Sequence, residues 1–261
     1  MSLTIIERCL TIVEVLAGHR QGLGLGEIAE QAAIPKSATH RMLTALCDLG
    51  YAVQLSNRDY RLTLRLPGLG LGFLSDTGIL QECQPTLDAL AQEVGELVRL
   101  SVVENEGLIW LGKAQGARGG LLVDPVMGRR VVLHATATGK IWLSSLSTED
   151  ALRIVFRDGF GSPVEHGPNV VRTVEALLAE LAQTAERGYG LAQQEAEPGI
   201  SAVAVGIRDA RGARIVATLS VAGPSARLTP TRLAEIAPLL HRSARQLEGM
   251  ENLPGFTGTT P

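Results

Sequence analysis

The spacing of apolar residues changes from a helical period to a strand period at Gly50, and this change constrains the N-terminal fold most strongly. Residues 36–49 predict a helix, because Pro35 suits a helix start and Gly50 can end a helix in the left-handed conformation. Apolar and polar residues then alternate over 51–55 and again over 60–64, with turn-forming residues between them. We therefore predict a helix that leads directly into a β-hairpin.

Two further helices are predicted before this one. Apolar residues recur at three- and four-residue steps over 3–17, and a short helix is predicted over 27–32 after a glycine-rich turn. Two short helices joined by a tight turn, with the second helix followed by a two-stranded wing, form a known device for entering the major groove of DNA. Residues 1–66 therefore predict a winged helix-turn-helix DNA-binding domain.

The N-terminal part of the third helix carries polar and basic side chains that suit contacts with DNA. Hydroxyl groups suit phosphate contacts, and arginine suits a bidentate contact with guanine. A basic residue at the tip of the hairpin suits a phosphate or the minor groove, whereas Met42, Leu43 and Leu46 are expected to face the core. The predicted DNA-contacting residues are Lys36, Ser37, Thr39, His40, Arg41 and Arg58.

Charge and composition limit the other possibilities. The chain has 261 residues, enough for two domains, and a net charge of −3, but residues 35–66 hold five basic and two acidic residues. No apolar run approaches the ~18 residues of a membrane span, and the N-terminus predicts an amphipathic helix rather than a signal peptide. Cys9, Cys47 and Cys83 have no metal-type spacing, so we expect buried thiols in a cytoplasmic protein that does not contact a membrane.

The remaining sequence predicts an α+β domain. We assign residues 67–95 to a linker with a linker helix over 79–95, residues 96–250 to the domain itself, and residues 251–261 to a disordered tail. Strands are predicted over 98–103, 108–114, 121–124, 201–208 and 214–221. Helices are predicted over 134–146, 148–157, 174–187 and 231–248.

Several short motifs resemble those of the IclR family of bacterial transcription regulators. The stretch IPKSATHRML at 34–43, followed by LGY at 49–51 and YRL at 60–62, resembles the family's DNA-binding domain. The stretch GRRVVLHATATGK at 128–140 is similar to a signature of the family's effector domain. Three further matches follow in the family's order, namely RGY at 187–189, EPGIS at 197–201 and LSVAGP at 219–224.

The resemblance implies a GAF/PAS-like C-terminal domain, in which a curved sheet holds a small-molecule effector, and a homodimer or tetramer that binds double-stranded operator DNA. Family members that bind small oxo acids place Asp, Cys and two Ser in this pocket, and three of these four positions are alanine here. Because a buried charge must be paired, we expect a larger and more apolar effector, such as an aromatic acid or another catabolic metabolite. The implied effector-binding residues are Gly128, Ala137, Thr138, Gly139, Ala192, Ala202, Ser220 and Ala222.

Other readings of the sequence remain open. An enzyme is disfavoured because the sequence has no nucleophile elbow, no HExxH pair and no phosphate-binding loop, and its glycine-rich runs at 22–26 and 68–72 have the wrong spacing for dinucleotides. The five histidines have no metal-ligand spacing, so we expect no metal and no cofactor. A ligand-sensing or oligomerisation module without specific DNA binding, and an effector pocket that is empty or degenerate, are the remaining alternatives.

Overall fold

The chain divides into two compact units. A computed structural model describes residues 4–123, 127–128, 130–161, 166–248 and 250. The boundary along the chain falls between Asp76 and Thr77, inside the segment predicted as a linker. None of the helices in the described ranges is long and apolar enough to cross a membrane. The predicted tail at 251–261 lies outside the described residues.

The first unit begins with three helices, α1 (Ile5–Ala17), α2 (Leu25–Gln31) and α3 (Lys36–Asp48). A capping box starts α1, because the Thr4 hydroxyl accepts a hydrogen bond from the Glu7 N–H while the Glu7 carboxylate accepts one from the Thr4 N–H. Gly50 follows α3 with a φ of +76°, as the sequence predicts.

The predicted wing is confirmed as a short hairpin. Strands β1 (Ala52–Gln54) and β2 (Tyr60–Leu62) pair in antiparallel fashion. Tyr60 also exchanges two backbone hydrogen bonds with Leu23, which ties the wing to the turn before α2. The core of this unit contains Ile12, Leu16, Leu23, Ile28, Ala32, Ile34, Met42, Leu43 and Tyr60.

The glycine-rich segment after the wing forms a helix, α4 (Arg65–Thr77), where the sequence predicted the start of a linker. None of its residues is buried, and glycine inside a helix costs about 1 kcal/mol relative to alanine. The Arg65 guanidinium donates a 2.6 Å hydrogen bond to the Leu49 carbonyl and lies 4.9 Å from the Tyr51 ring centre. These contacts attach the first residue of α4 to the end of α3, a stabilisation that local composition does not reveal.

The second unit is built on a five-stranded antiparallel sheet in the order β4-β3-β7-β6-β5, which confirms the predicted α+β class. Its strands are β3 (Leu97–Glu104), β4 (Gly107–Gln115), β5 (Gly190–Gln193), β6 (Ile200–Arg208) and β7 (Ile215–Pro224). Helices α5 (Ile79–Val94) and α9 (Pro230–Leu247) pack on one face. The core on the other face includes residues of α6 (Ala137–Leu143), α7 (Thr148–Asp158) and α8 (Val174–Arg187).

The helix predicted to link the two domains belongs to the second unit. Six of the residues in α5 are buried, and they share a core with β3, β6, β7 and α9: Ile79, Cys83, Leu87, Leu90, Ala91 and Val94. The apolar stripe of α5 therefore covers the sheet of its own unit. Neither Cys9 nor Cys47 is fully buried, whereas Cys83 is, so the expectation of buried thiols is met fully only at Cys83.

Three details of the second unit differ from the sequence prediction. Residues 121–123 form no strand, and Asp124 lies outside the described residues. The helix predicted over 134–146 is shorter, because Thr136 caps α6 by accepting a 3.0 Å hydrogen bond from the Gly139 N–H. The four-residue strand β5 was not predicted, since a segment this short carries little periodic signal.

Candidate DNA-binding and effector-binding sites

The exposed side of α3 carries four of the predicted DNA-contacting residues. Lys36, Ser37, His40 and Arg41 are exposed, and their spacing places them on one side of the helix. The opposite side is apolar, with Met42 and Leu43 buried in the core as predicted. The helix therefore separates a polar, partly basic surface from a buried one.

Thr39, which was predicted to contact DNA, does not lie on the exposed side of α3. Its side chain is 0% exposed, and its hydroxyl donates a hydrogen bond of 3.2 Å to the Pro35 carbonyl. Thr39 precedes Met42 and Leu43 by three and four residues, so the helical period places it on their buried face. Inside a helix, a threonine hydroxyl can donate to the carbonyl four residues earlier, so it can be buried. The spacing of Thr39 from Met42 and Leu43 already indicated its burial in the sequence.

Arg58 lies at the exposed tip of the wing. Its φ is +71°, a left-handed conformation that non-glycine residues adopt infrequently. The turn is held by the Asp59 N–H, which donates to Asn57 Oδ1 at 3.1 Å, and by Gln54, whose side chain donates to the Arg58 carbonyl at 3.3 Å. The wing therefore presents Arg58 on a fixed turn, as the sequence predicts for the hairpin tip.

The predicted effector residues of the strands lie side by side on one face of the sheet. Ala192, Ala202 and Ala222 are direct cross-strand partners on β5, β6 and β7, and all three are buried. Ser220 lies two residues before Ala222 on β7, so its side chain points to the same face, and it pairs with Ala204 of β6. The strand register thus brings three alanines and the hydroxyl group of Ser220 together in a small-residue floor.

The other predicted effector residues lie at α6 and beside β4. Ala137 and Thr138 are buried in the first turn of α6. A Cβ atom at Gly139 would overlap the backbone of Leu133, and the Gly139 N–H already donates to Thr136, so Gly139 offers a ligand no open contact. Gly139 is therefore corrected from a ligand contact to a packing position. Gly128 is exposed and donates its N–H to the Trp110 carbonyl at 3.0 Å.

A buried ion pair fixes α6 against β5. Lys140 is 1% exposed, and its ammonium lies 2.6 Å from Glu195 and donates to the Leu191 carbonyl at 3.0 Å. Burial raises the pKa of the Glu195 carboxyl, while the Lys140 charge opposes that rise. Lys140 is the last residue of the signature at 128–140. Its partner Glu195 is 55 residues away in the sequence and was not predicted.

Arg99 was not predicted as a site residue. It lies on β3 directly opposite Ser220 of β7. Its guanidinium carbon lies 3.8 Å from the centre of the Trp110 ring. Burial lowers the pKa of Arg99 to about 10, an effect that the charge of Glu197 opposes, so the side chain stays ionised at neutral pH. The signal was a lone charged residue in the run LVRLSVV at 97–103, but the partners of Arg99 depend on strand register.

A separate cavity of about 320 Å³ lies beside His134. The His134 ring lies 5.1 Å from Phe160 and 5.3 Å from His166, centre to centre. Burial lowers the pKa of His134 to about 4, assisted by the neighbouring charges of His166 and Lys140. Among the described residues, no group of three or more His, Cys, Asp or Glu side chains is arranged to hold a metal ion.

Comparison with known proteins identifies the family of the chain. The family model described as "Bacterial transcriptional regulator IclR C-terminal" matches residues 71–248, and the model described as "IclR helix-turn-helix domain" matches residues 5–56. The chain belongs to the IclR family of bacterial transcriptional regulators. As an IclR-family regulator, it combines a helix-turn-helix DNA-binding domain with a C-terminal effector domain.

Relatives named as regulators align over nearly the whole of this IclR-family chain. The HTH-type transcriptional regulator KdgR of Escherichia coli (strain K12) is 28% identical over 94% of this chain and 92% of its own length. The Pca regulon regulatory protein of Pseudomonas putida is 26% identical over 94% of this chain and 83% of its own length. Proteins similar to this one are thus named as regulators of transcription.

Solved structures share the fold of this IclR-family chain. An IclR homologue of Microbacterium hydrocarbonoxydans, complexed with 4-hydroxybenzoate, superposes with a TM-score of 0.76 at 23% identity, covering 97% of this chain and 100% of that one. A regulator from Alicyclobacillus acidocaldarius superposes with a TM-score of 0.79 at 21% identity, covering 95% and 98% of the two chains. The two-part architecture is therefore shared with crystal structures of the family.

Proposed function

We propose that the exposed side of α3 reads operator DNA in the major groove, and that an aromatic-acid-like effector bound over the alanine floor of the sheet modulates this binding. The observation that carries the proposal is the separation of α3 into an exposed polar side and a buried apolar side, followed by a basic wing. A recognition helix needs this arrangement, because its N-terminal residues must reach base edges while its back packs on the domain.

Each proposed DNA contact has a distinct role. Arg41 makes a bidentate contact with guanine, while Lys36 and Ser37 contact phosphates at the start of the helix. His40 extends the polar side of the helix by one turn, and Arg58 of the wing contacts a neighbouring phosphate or the minor groove. The DNA-binding set is therefore Lys36, Ser37, His40, Arg41 and Arg58, without Thr39.

The small-residue floor supports an effector with an apolar body. Ala192, Ala202 and Ala222 present methyl groups where polar side chains would hold a small oxo acid. The bound 4-hydroxybenzoate in the Microbacterium homologue supports an effector of aromatic size. The relatives are named as regulators, which supports a sensing role rather than a catalytic one for this pocket.

Exposed apolar side chains in the first unit support self-association of the chain. Ile5, Ile6 and Leu10 of α1 are exposed, as are Leu71 and Phe73 of α4. Monomeric proteins rarely expose clustered side chains of this kind, and a two-fold dimer would bury them against their own copies. We propose a homodimer or a dimer of dimers that binds a two-fold symmetric operator in the cytoplasm.

The test is a binding assay with labelled promoter fragments at several salt concentrations. Arg41→Ala and Ser37→Ala are expected to weaken specific binding, by about 1–3 kcal/mol for the arginine, without lowering thermal stability. Arg211→Ala, which removes an exposed arginine from the turn between β6 and β7, is the matched control and should bind like the parent. If Arg41→Ala and Ser37→Ala both bind specific DNA like the parent, α3 is not the recognition helix.

A further inference from the structure

One face of the sheet in the second unit carries an arginine, Arg99, that forms no ion pair within the described part of the chain. Arg99 on β3 and Ser220 on β7 are direct cross-strand partners. Two residues along each strand, the hydroxyls of Ser101 and Thr218 meet at 2.7 Å. Because side chains two residues apart lie on the same face of a strand, Arg99 and Ser220 project together from the face that also holds Ala202 and Ala222.

One polar atom of each residue in this pair is buried and unsatisfied. Neither Nε of Arg99 nor Oγ of Ser220 has a hydrogen-bond partner within the described ranges of the chain. Ser220 is 1% exposed, whereas Arg99 keeps partial access to solvent. Buried polar groups of folded proteins are normally paired, so this unpaired pair of donors can take an acceptor that a ligand supplies.

Among the described residues, no acidic side chain forms an ion pair with Arg99. The ring of Trp110 stabilises the cation through its π face but accepts no conventional hydrogen bond from it. Glu197 is the acidic residue whose charge acts on Arg99, yet it is exposed and forms no ion pair with Arg99 in the described structure. The Nε donor of Arg99 is therefore left without an acceptor among the described residues.

We propose that Arg99 and Ser220 form an anion-binding subsite that holds the carboxylate of a monocarboxylic effector, whose apolar body lies over Ala202 and Ala222. This proposal rests on the effector half of the proposed function and names the group that the ligand must carry. The planar guanidinium matches a carboxylate with two parallel N–H donors, and the Ser220 hydroxyl adds a third. The arginine supplies the charge partner that the alanine positions lack.

The test uses the full chain with matched acids and amides as probes. Benzoate and 4-hydroxybenzoate are compared with benzamide and 4-hydroxybenzamide by calorimetry, and each acid is expected to bind more tightly than its amide. Arg99→Gln removes the charge and should weaken the acids about 10- to 100-fold while leaving the amides nearly unchanged. Arg99→Lys keeps the charge without the planar fork and should fall between the parent and Arg99→Gln.

A control variant and a folding measurement separate this role from a structural one. Arg214→Gln removes an exposed arginine near the start of β7 and should bind all four probes like the parent. Without ligand, Arg99→Gln should melt at the same temperature as the parent or higher, because it removes an unpaired charge. An arginine that only supports the fold would instead lower the melting temperature in every probe condition.

The outcomes distinguish this subsite from the proposed function. The subsite is wrong if Arg99→Gln binds the acids as tightly as the parent, or if no acid binds the parent more tightly than its amide. If the acids bind through Arg99 but the affinity for operator DNA does not change, the subsite stands, and these acids are not effectors of the kind that the proposed function requires.

Discussion

The two units place their polar residues in opposite ways. The first unit displays Lys36 and Arg41 on the exposed side of a helix, where water solvates them. The second unit encloses Lys140 in a buried ion pair with Glu195. Polar residues of the first kind should affect binding with little effect on stability, whereas those of the second kind should affect the stability of the folded state.

The largest expected effect tests this contrast at Lys140. Lys140→Ala should lower the free energy of unfolding by about 3–5 kcal/mol, because it leaves the Glu195 carboxylate buried without its charge partner. Urea denaturation followed by circular dichroism measures the change. Lys36→Ala is the matched control and should leave stability within about 0.5 kcal/mol of the parent. Equal stability of Lys140→Ala and Lys36→Ala would contradict the contrast between the two units.

The second prediction concerns pH and His134. Its pKa is about 4 in the folded chain and about 6.5 when unfolded, so the folded state favours the neutral ring. The contribution of His134 is therefore fully present above pH 6.5 and is lost as the pH falls towards 4, by about 3 kcal/mol. Denaturation between pH 4 and 7 should show a shallower pH dependence for His134→Gln than for the parent. Parallel pH profiles would contradict the lowered pKa of His134.

The third prediction compares glycines of the two units. Gly139→Ala should destabilise the chain by about 1–3 kcal/mol, because the new methyl group would overlap the Leu133 backbone. Gly68→Ala in α4 meets no atom within 4 Å and should raise stability by up to about 1 kcal/mol. Thermal denaturation of both variants measures the two signs. A stabilising Gly139→Ala would show that α6 packs less closely than described.

The smallest expected effect separates two neighbouring residues of α3. Thr39→Val keeps the shape of a buried side chain and loses one hydrogen bond to Pro35, so it should cost about 1 kcal/mol of stability and leave DNA affinity unchanged. Ser37→Ala should have the reverse effect, with unchanged stability and weaker binding. Melting curves and operator titrations of both variants give the comparison. Loss of operator affinity in Thr39→Val would return Thr39 to the DNA-contacting set.

Local periodicity predicted most of the first unit. The helix from Lys36, the stop at Gly50 and the hairpin each depend on residues that are close in sequence, so their patterns are readable without the fold. The helix α4 was not predicted, because its glycines lower helix propensity and its contact with Leu49 is not local. Thr39 was assigned to the wrong side although its spacing from Met42 indicated burial.

By itself, the sequence determined the two-part organisation and the winged helix-turn-helix, because the helical and strand periods are local properties of the chain. Only the tertiary structure decided which side chains meet in the second unit. Arg99 and Ser220 are far apart in sequence and become partners through the register of β3 and β7. Strand register depends on the packing of the whole sheet between two layers of helices, so no local pattern predicts it. The face of the sheet on which three predicted effector positions are alanine thus also carries an arginine.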